Sequence, residues 1–279
     1  MQANASEQTD QMRTVTDTLR RVLGNTLLAV YLHGSAVAGG LRPQSDIDLL
    51  AVIDRSMTDH QRSALLAALL QVSGRHPAAV GGPRCIEVMV FVQSDLSANS
   101  YPARSDFTYG EWLRDAFEAG ETPMPTRDPE YTLVLAQARS QAISLFGGRP
   151  AEHLPEIPPE RVRQAMHEAL PALFCGLQGD ERNVLLTLAR MWHTAKTAEF
   201  VAKDAAAAWA VPQIPDQDAA TLDYARRAYL GEVVDEWDVR LGDARRLAEL
   251  LHTRVTEAST CDAIEETLLS ESNPEQRSP

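Results

Sequence analysis

The sequence predicts an α+β protein in which an α/β half is followed by an all-α half. Three observations predict it. Bounded apolar runs at Leu27 to His33, Ile47 to Ile53 and Ile86 to Val92 read as strands, and all lie in the first third of the chain. After Pro159 only the 3.6-residue periodicity of helices appears. Between these regions Gly147 to Pro159 is rich in Gly and Pro, the composition of a connection.

The elements follow in order. Met12, Val15, Leu19, Val22 and Leu23 share one helical face, and Gly24-Asn25 stops that helix. The first strand is followed by a Gly-rich stretch, Gly34 to Gly40, and then by the second strand. Thr58 and Gln61 form a capping box that opens a helix through Leu65, Leu66, Leu69 and Leu70. His76 to Pro83 is a Gly/Pro loop before the third strand, whose one interruption is Glu87. Gln93 to Gly110 reads as a long polar connection. Asp128-Pro129 starts a helix that Gly147-Gly148 ends. Five helices follow, at Glu160 to Cys175, Glu181 to Glu199, Lys203 to Ala210, Asp218 to Leu230 and Asp235 to Ala258. The predicted domains are 1–155 and 156–258, with a polar tail over 259–279 predicted to be disordered. Two such halves in series predict a cleft between them.

Composition narrows the function. The 279 residues carry a formal net charge of −13, with 44% hydrophobic and 23% charged residues. An acidic chain has no electrostatic footprint for nucleic acid, whose binding rests on phosphate neutralisation. It attracts cationic small molecules instead. The apolar run Ala64 to Leu70 is far below the roughly 20 residues that span a bilayer. The polar N-terminus does not read as a signal peptide. Cys85, Cys175 and Cys261 form neither a metal spacing nor a disulfide framework, which predicts a cytoplasmic protein.

Chemistry concentrates between Tyr31 and Leu49. Asp46 and Asp48 are two apart at the head of a strand, so their carboxylates face one side, with Ile47 and Leu49 on the other. Paired hard oxygens suit Mg²⁺, which keeps waters and shares substrate phosphates. Gly34 lets the backbone approach a phosphate, and Ser35 stands where a helix is expected to begin. Glu87 in an apolar strand is costly unless paired or on metal, and a third acid there can serve as ligand or general base. An isolated Asp-x-Asp is usually a turn and an isolated strand Glu usually an edge residue. The ordered combination of all three elements is what points to catalysis.

This pattern resembles the nucleotidyltransferase superfamily related to DNA polymerase β. Beyond it, the chain resembles the aminoglycoside adenylyltransferases of the 3″/9 type, which modify streptomycin and spectinomycin. The likeness runs from about residue 14 to 256 and rests on separated stretches. These are His33 to Leu41 (HGSAVAGGL), Ser45 to Leu49 (SDIDL), Tyr109 to Arg114 (YGEWLR), Gly179 to Trp192 (GDERNVLLTLARMW), Ala202 to Ala210 (AKDAAAAWA) and Ala228 to Gly231 (AYLG). The Gly-Ser and Asp-x-Asp elements belong to the whole superfamily, and the others are specific to this family. Asn99 to Thr108 follows the family pattern only loosely.

The resemblance implies a mixed sheet in the first domain and a helical bundle in the second, with the active site in the cleft. It implies that Asp46, Asp48 and Glu87 bind Mg²⁺, Glu87 also acting as catalytic base. It implies that Ser35 and Ser45 contact the triphosphate of ATP, and that Arg190, Lys203 and Tyr229 bind the nucleotide. Trp112 and Asp180 would hold the antibiotic, streptomycin above all. Read singly, Arg190 and Lys203 are surface charges or salt-bridge partners, Trp112 is a core residue, Asp180 is a helix cap, and Tyr229 is a packing residue. Trp192 and Trp209 read as core, and His33 is assigned no chemistry. The expected partners are ATP and a cationic aminoglycoside or aminocyclitol, with the protein a monomer. Competing readings are spectinomycin-only transfer, transfer to a protein target, and a nucleotide-binding regulator without turnover.

Overall fold

The computed structural model describes residues 2–271 apart from 78, 80, 98 and 99. The chain forms two compact units, Met1–Pro158 and Pro159–Pro279.

The first unit opens with α1 (Gln2–Leu23), β1 (Leu27–His33), β2 (Ile47–Ile53), α2 (Asp59–Val72) and β3 (Ile86–Val92). The three strands have the bounds their apolar runs predict. β4 (Arg104–Ser105), β5 (Phe107–Tyr109), α3 (Arg114–Glu118), β6 (Thr126–Arg127), α4 (Pro129–Gln141), β7 (Ile143–Phe146) and α5 (Pro150–His153) follow. Five strands form a mixed sheet in the order β5-β3-β2-β1-β7, with β2 and β3 parallel and the other pairs antiparallel. β4 and β6 make a separate two-stranded ribbon.

Both faces of the sheet are covered, which is why its central strands are almost wholly apolar. Val30, Leu32, Leu49, Ala51, Val88 and Val90 pack with Val15 and Leu19 of α1 and Leu65 and Leu69 of α2. Ala29, Tyr31, Leu50, Val52, Met89 and Phe91 pack on the other face with Tyr131, Leu135 and Ala138 of α4. α2 starts with the expected capping box, both arms of which are made. Asp128 caps α4 by accepting from Glu130 N at 2.8 Å.

Two expectations are corrected in this unit. The polar connection after β3 contains β4 and β5, and β5 joins the sheet beside β3. The helix that begins at Pro129 ends at Gln141, and β7 then pairs with β1. Strands of two to four residues hold too few side chains to display a period.

The second unit comprises α6 (Pro159–Cys175), α7 (Glu181–Thr197), α8 (Lys203–Ala210), α9 (Asp216–Leu230) and α10 (Leu241–Glu271). α7 packs against α8, α9 and α10 and buries Val184, Leu185, Leu188, Ala189 and Trp192. Trp192 meets Trp209 edge to face, with ring centroids 4.9 Å apart. The last helix starts six residues later than predicted, because Asp235 is tied to Arg182 at 2.6 Å and to Trp237 Nε1 at 2.7 Å in a loop. It also continues past Ala258 to Glu271, over part of the predicted tail. Residues 272–279 of that tail lie outside the described residues.

Candidate active site

The sheet register aligns the acidic residues. His33 of β1 stands opposite Asp48 of β2, and Asp48 stands opposite Glu87 of β3. Cross-strand partners share a face, with Cβ atoms about 5 Å apart. The face is that of Tyr31, two residues before His33, and of Leu50 and Met89, two residues after Asp48 and Glu87. His33, Asp48 and Glu87 therefore form one row across three strands, just beyond the apolar core. Asp46 lies two residues before Asp48, outside the strand. Burial pushes the Cys85 thiol up to about 12, and the negative charge of Asp46 adds to that shift.

The loop between β1 and β2 is built around this row. Gly34 has φ +64, and a Cβ there would overlap the Asp48 carboxylate. Only glycine allows that backbone to lie against Asp48. Gly34 O accepts from Val37 N at 3.3 Å and Ala38 N at 3.1 Å, closing a single 3₁₀ turn over Gly34–Ala36 that carries Ser35. The helix expected at Ser35 is absent, because Gly39 and Gly40, at φ +89 and +92, turn the chain away. Ser45 is buried. Its Oγ accepts from Arg42 N at 3.0 Å, and its own N–H donates to Arg42 O at 3.1 Å. Arg84 holds the same loop by donating to the carbonyls of Arg42 at 2.8 Å and Ser45 at 2.7 Å.

His33 is buried, and burial lowers its pKa to about 4, so the imidazole is neutral. Its Nε2 has no hydrogen-bond partner among the described residues. No three His, Cys, Asp or Glu side chains among the described residues group closely enough to hold a metal ion alone. The carboxylate row is therefore not a closed cage. Its oxygens fit a hard cation that completes its shell with water and substrate phosphate.

Trp112 lies in the 3₁₀ turn Glu111–Leu113 that follows β5, and 61% of it is exposed, so it is not a core residue. Its neighbour Glu111 is engaged from four directions. Glu111 Oε1 accepts from Ser73 Oγ at 2.6 Å, Tyr109 OH at 2.6 Å and Arg114 Nη2 at 2.8 Å, and Oε2 accepts from Arg114 Nε at 2.6 Å. Desolvation raises its pKa, but the hydrogen bonds from Arg114, Ser73 and Tyr109 outweigh it and hold the carboxyl below its ordinary value. Sequence reasoning missed this network. The one local signal was the Glu-x-x-Arg spacing in YGEWLR.

The remaining predicted site residues belong to the helical unit. Asp180 occupies the N-cap position of α7, yet its side chain makes no capping bond. It accepts instead from Asn183 Nδ2 at 2.9 Å, and Asn183 Oδ1 accepts from Lys203. Arg190 lies two turns along α7 from Asn183 on the same partly exposed stripe. Tyr229 is partly buried near the end of α9, before Gly231 at φ +78. No helix among the described residues is long and apolar enough to cross a membrane.

Comparison with known proteins agrees with this architecture. Residues 13–98 match the nucleotidyltransferase domain, and residues 152–254 match the aminoglycoside adenylyltransferase C-terminal domain. A spectinomycin 9-adenylyltransferase of Staphylococcus aureus is 40% identical over 237 residues, covering 85% of this chain and 91% of that protein. This chain belongs to the aminoglycoside adenylyltransferase family. An aminoglycoside (3″)(9) adenylyltransferase of Escherichia coli is 36% identical over 253 residues, covering 90% of this adenylyltransferase and 95% of the relative. The crystal structure of an Enterococcus faecalis spectinomycin adenyltransferase with ATP and spectinomycin superposes with a TM-score of 0.84 at 30% identity. That likeness covers 89% of this chain and 99% of that one. The family and the α+β fold implied by the sequence motifs are the ones found.

Proposed function

We propose that this adenylyltransferase moves AMP from ATP to the 3″ hydroxyl of streptomycin and the 9 hydroxyl of spectinomycin, releasing pyrophosphate. The observation that carries the reading is the Asp48–Glu87 register pair beside Gly34, in a chain whose relatives are named a spectinomycin 9-adenylyltransferase and an aminoglycoside (3″)(9) adenylyltransferase. Glu87 takes the proton of the acceptor hydroxyl. The freed oxygen forms a bond to the α-phosphorus, and the bond from that phosphorus to the bridging oxygen breaks as pyrophosphate departs. Asp46, Asp48 and Glu87 would hold Mg²⁺, which when bound neutralises phosphate charge. The backbone of the Gly34–Ala36 turn and the Ser35 hydroxyl face the triphosphate in this reading. Ser45, whose Oγ accepts from Arg42 N, also contacts the triphosphate in this reading by donating its hydroxyl proton. Arg190, Lys203 and Tyr229 bind the nucleotide. Trp112 offers an aromatic face to the antibiotic, and Asp180 a carboxylate for its cationic groups. The net charge of −13 favours the approach of a polycation.

Transfer to spectinomycin alone is a second reading, favoured by the name of the Staphylococcus aureus relative. Mass spectrometry of both drugs after incubation with protein, ATP and Mg²⁺ separates the two. One AMP on each drug, lost in Glu87→Gln, is the expected result. AMP on spectinomycin alone selects the second reading. AMP on neither removes both.

A further inference from the structure

We infer that Gly110 and Glu111 are positioning residues that hold the Trp112 indole as a fixed platform beside Glu87, and so set which acceptor is bound productively. The inference rests on the acceptor chemistry proposed above. β5 runs antiparallel to β3 with Phe107 opposite Val90, Thr108 opposite Met89 and Tyr109 opposite Val88. Gly110 comes next and is still extended, at φ −159 and ψ 157, which brings it alongside Glu87. Alternation fixes its face. The Thr108 hydroxyl lies 3.1 Å from the Tyr131 hydroxyl, on the face that also buries Met89. Gly110, two residues later, shares that face with Glu87 and Asp48. The row of Asp48 and Glu87 thus extends to a position with no side chain of its own.

The indole of Trp112 fills that position. A Cβ on Gly110 would overlap three atoms of its six-membered ring. The turn that returns Trp112 over Gly110 is closed by Leu113 N donating to Gly110 O at 3.0 Å. It is fastened by Glu111, whose carboxylate takes hydrogen bonds from Tyr109, Arg114 and Ser73. The same Ser73 hydroxyl accepts from Ile86 N at 2.9 Å, one residue before Glu87. One carboxylate therefore ties the Trp112 turn to the start of the strand that carries Glu87. The backbone of the turn is pinned while the ring stays open to solvent, the condition in which an aromatic surface binds a sugar or aminocyclitol ring with little ordering cost.

Gly110→Ala, Glu111→Gln and Trp112→Ala test this with each antibiotic. Whichever acceptor loses affinity in Trp112→Ala should lose it in the other two, with KM raised about 10-fold and KM for ATP within about two-fold of the parent. Gly110→Ala combined with Trp112→Ala should be no worse than Trp112→Ala alone. Acrylamide quenching of Trp112, read as the difference from Trp112→Phe, should increase in Gly110→Ala and in Glu111→Gln. Equal losses of kcat for both acceptors, additive effects in the double variant, no KM effect of Trp112→Ala, or unchanged quenching would each overturn the inference. If the parent protein adenylylates neither drug, the proposed function fails, and the quenching comparison still decides whether Gly110 and Glu111 hold the ring. If Gly110→Ala fails to fold, Glu111→Gln carries the test.

Discussion

Asp180 and Lys203 meet through one side chain, the Asn183 amide, which donates to Asp180 Oδ2 at 2.9 Å and accepts from Lys203 through Oδ1. The residue proposed for the antibiotic and one proposed for ATP are therefore oriented by a common group. Removing a hydrogen bond to a charged partner costs about 1.5–3 kcal/mol, roughly ten-fold or more in affinity. Asn183→Ala should raise KM for ATP and KM for streptomycin together, by about ten-fold each on that basis. Steady-state kinetics with each substrate varied in turn measures this. A change in one KM alone would show that the amide does not serve both groups.

Gly34 and Gly24 make a controlled pair. Both have positive φ, +64 and +57, but only Gly34 abuts another residue, the Asp48 carboxylate. Alanine at either position should cost about 1–3 kcal/mol through backbone strain. Gly34→Ala should in addition displace Asp48 and lower kcat by about a hundred-fold, in the range of other losses of catalytic placement. Gly24→Ala should leave kcat unchanged. Thermal unfolding paired with single-turnover rates tests both.

Arg62 and Asp106 form an ion pair at 2.7 Å with side chains 4% and 0% exposed. Asp106 Oδ2 also accepts from Met57 N at 2.9 Å, and Arg62 donates to the Asp106 carbonyl. The pair thereby fastens the chain before β5 to the start of α2. Asp106→Ala leaves a buried guanidinium uncompensated and should cost about 3–5 kcal/mol. Arg62→Met with Asp106→Leu should recover only part of that loss, because Met57 N then lacks its acceptor, a cost of about 1–3 kcal/mol. Urea denaturation midpoints give the comparison.

The Glu111 carboxyl has a depressed pKa in the folded protein, so its contribution to stability is full above the unfolded value near 4.5 and is lost as pH falls through the folded value. Over that window the unfolded chain binds the proton first, and stability rises with pH. Glu111→Gln should therefore be less stable than the parent at pH 7, and the gap should narrow below pH 4.5. A gap independent of pH would mean that the amide substitutes poorly for reasons of shape rather than charge.

The three long strands were legible because each is seven residues of nearly continuous apolar sequence, which a sheet covered on both faces demands. β7 was not, because four residues with Ile143 and Leu145 exposed resemble the end of the preceding helix. Asp46, Asp48 and Glu87 stood out by residue type and order. The contact of Gly34 with Asp48 did not, since it depends on how two strands register rather than on spacing along the chain. The long-range arm of the Glu111 network was invisible for a similar reason, although the Glu-x-x-Arg spacing marks its local arm. Its partner Ser73 lies 38 residues away, and no local pattern announces that pairing. Read singly, Asp180 is a helix cap, whereas its side chain turns to Asn183.

The carboxylate row is embedded in backbone hydrogen bonding between central strands, whereas the Trp112 turn hangs beyond the last rung of a three-residue strand and is tied to the rest of the unit mainly by the side-chain bonds of Glu111. A substitution at Arg114, which bonds no residue of the strand that carries Glu87, can therefore retune the turn and leave the phosphoryl chemistry untouched. Under drug selection the two parts can diverge on separate clocks, with the reaction held constant while the spectrum of antibiotics inactivated drifts by single codon changes.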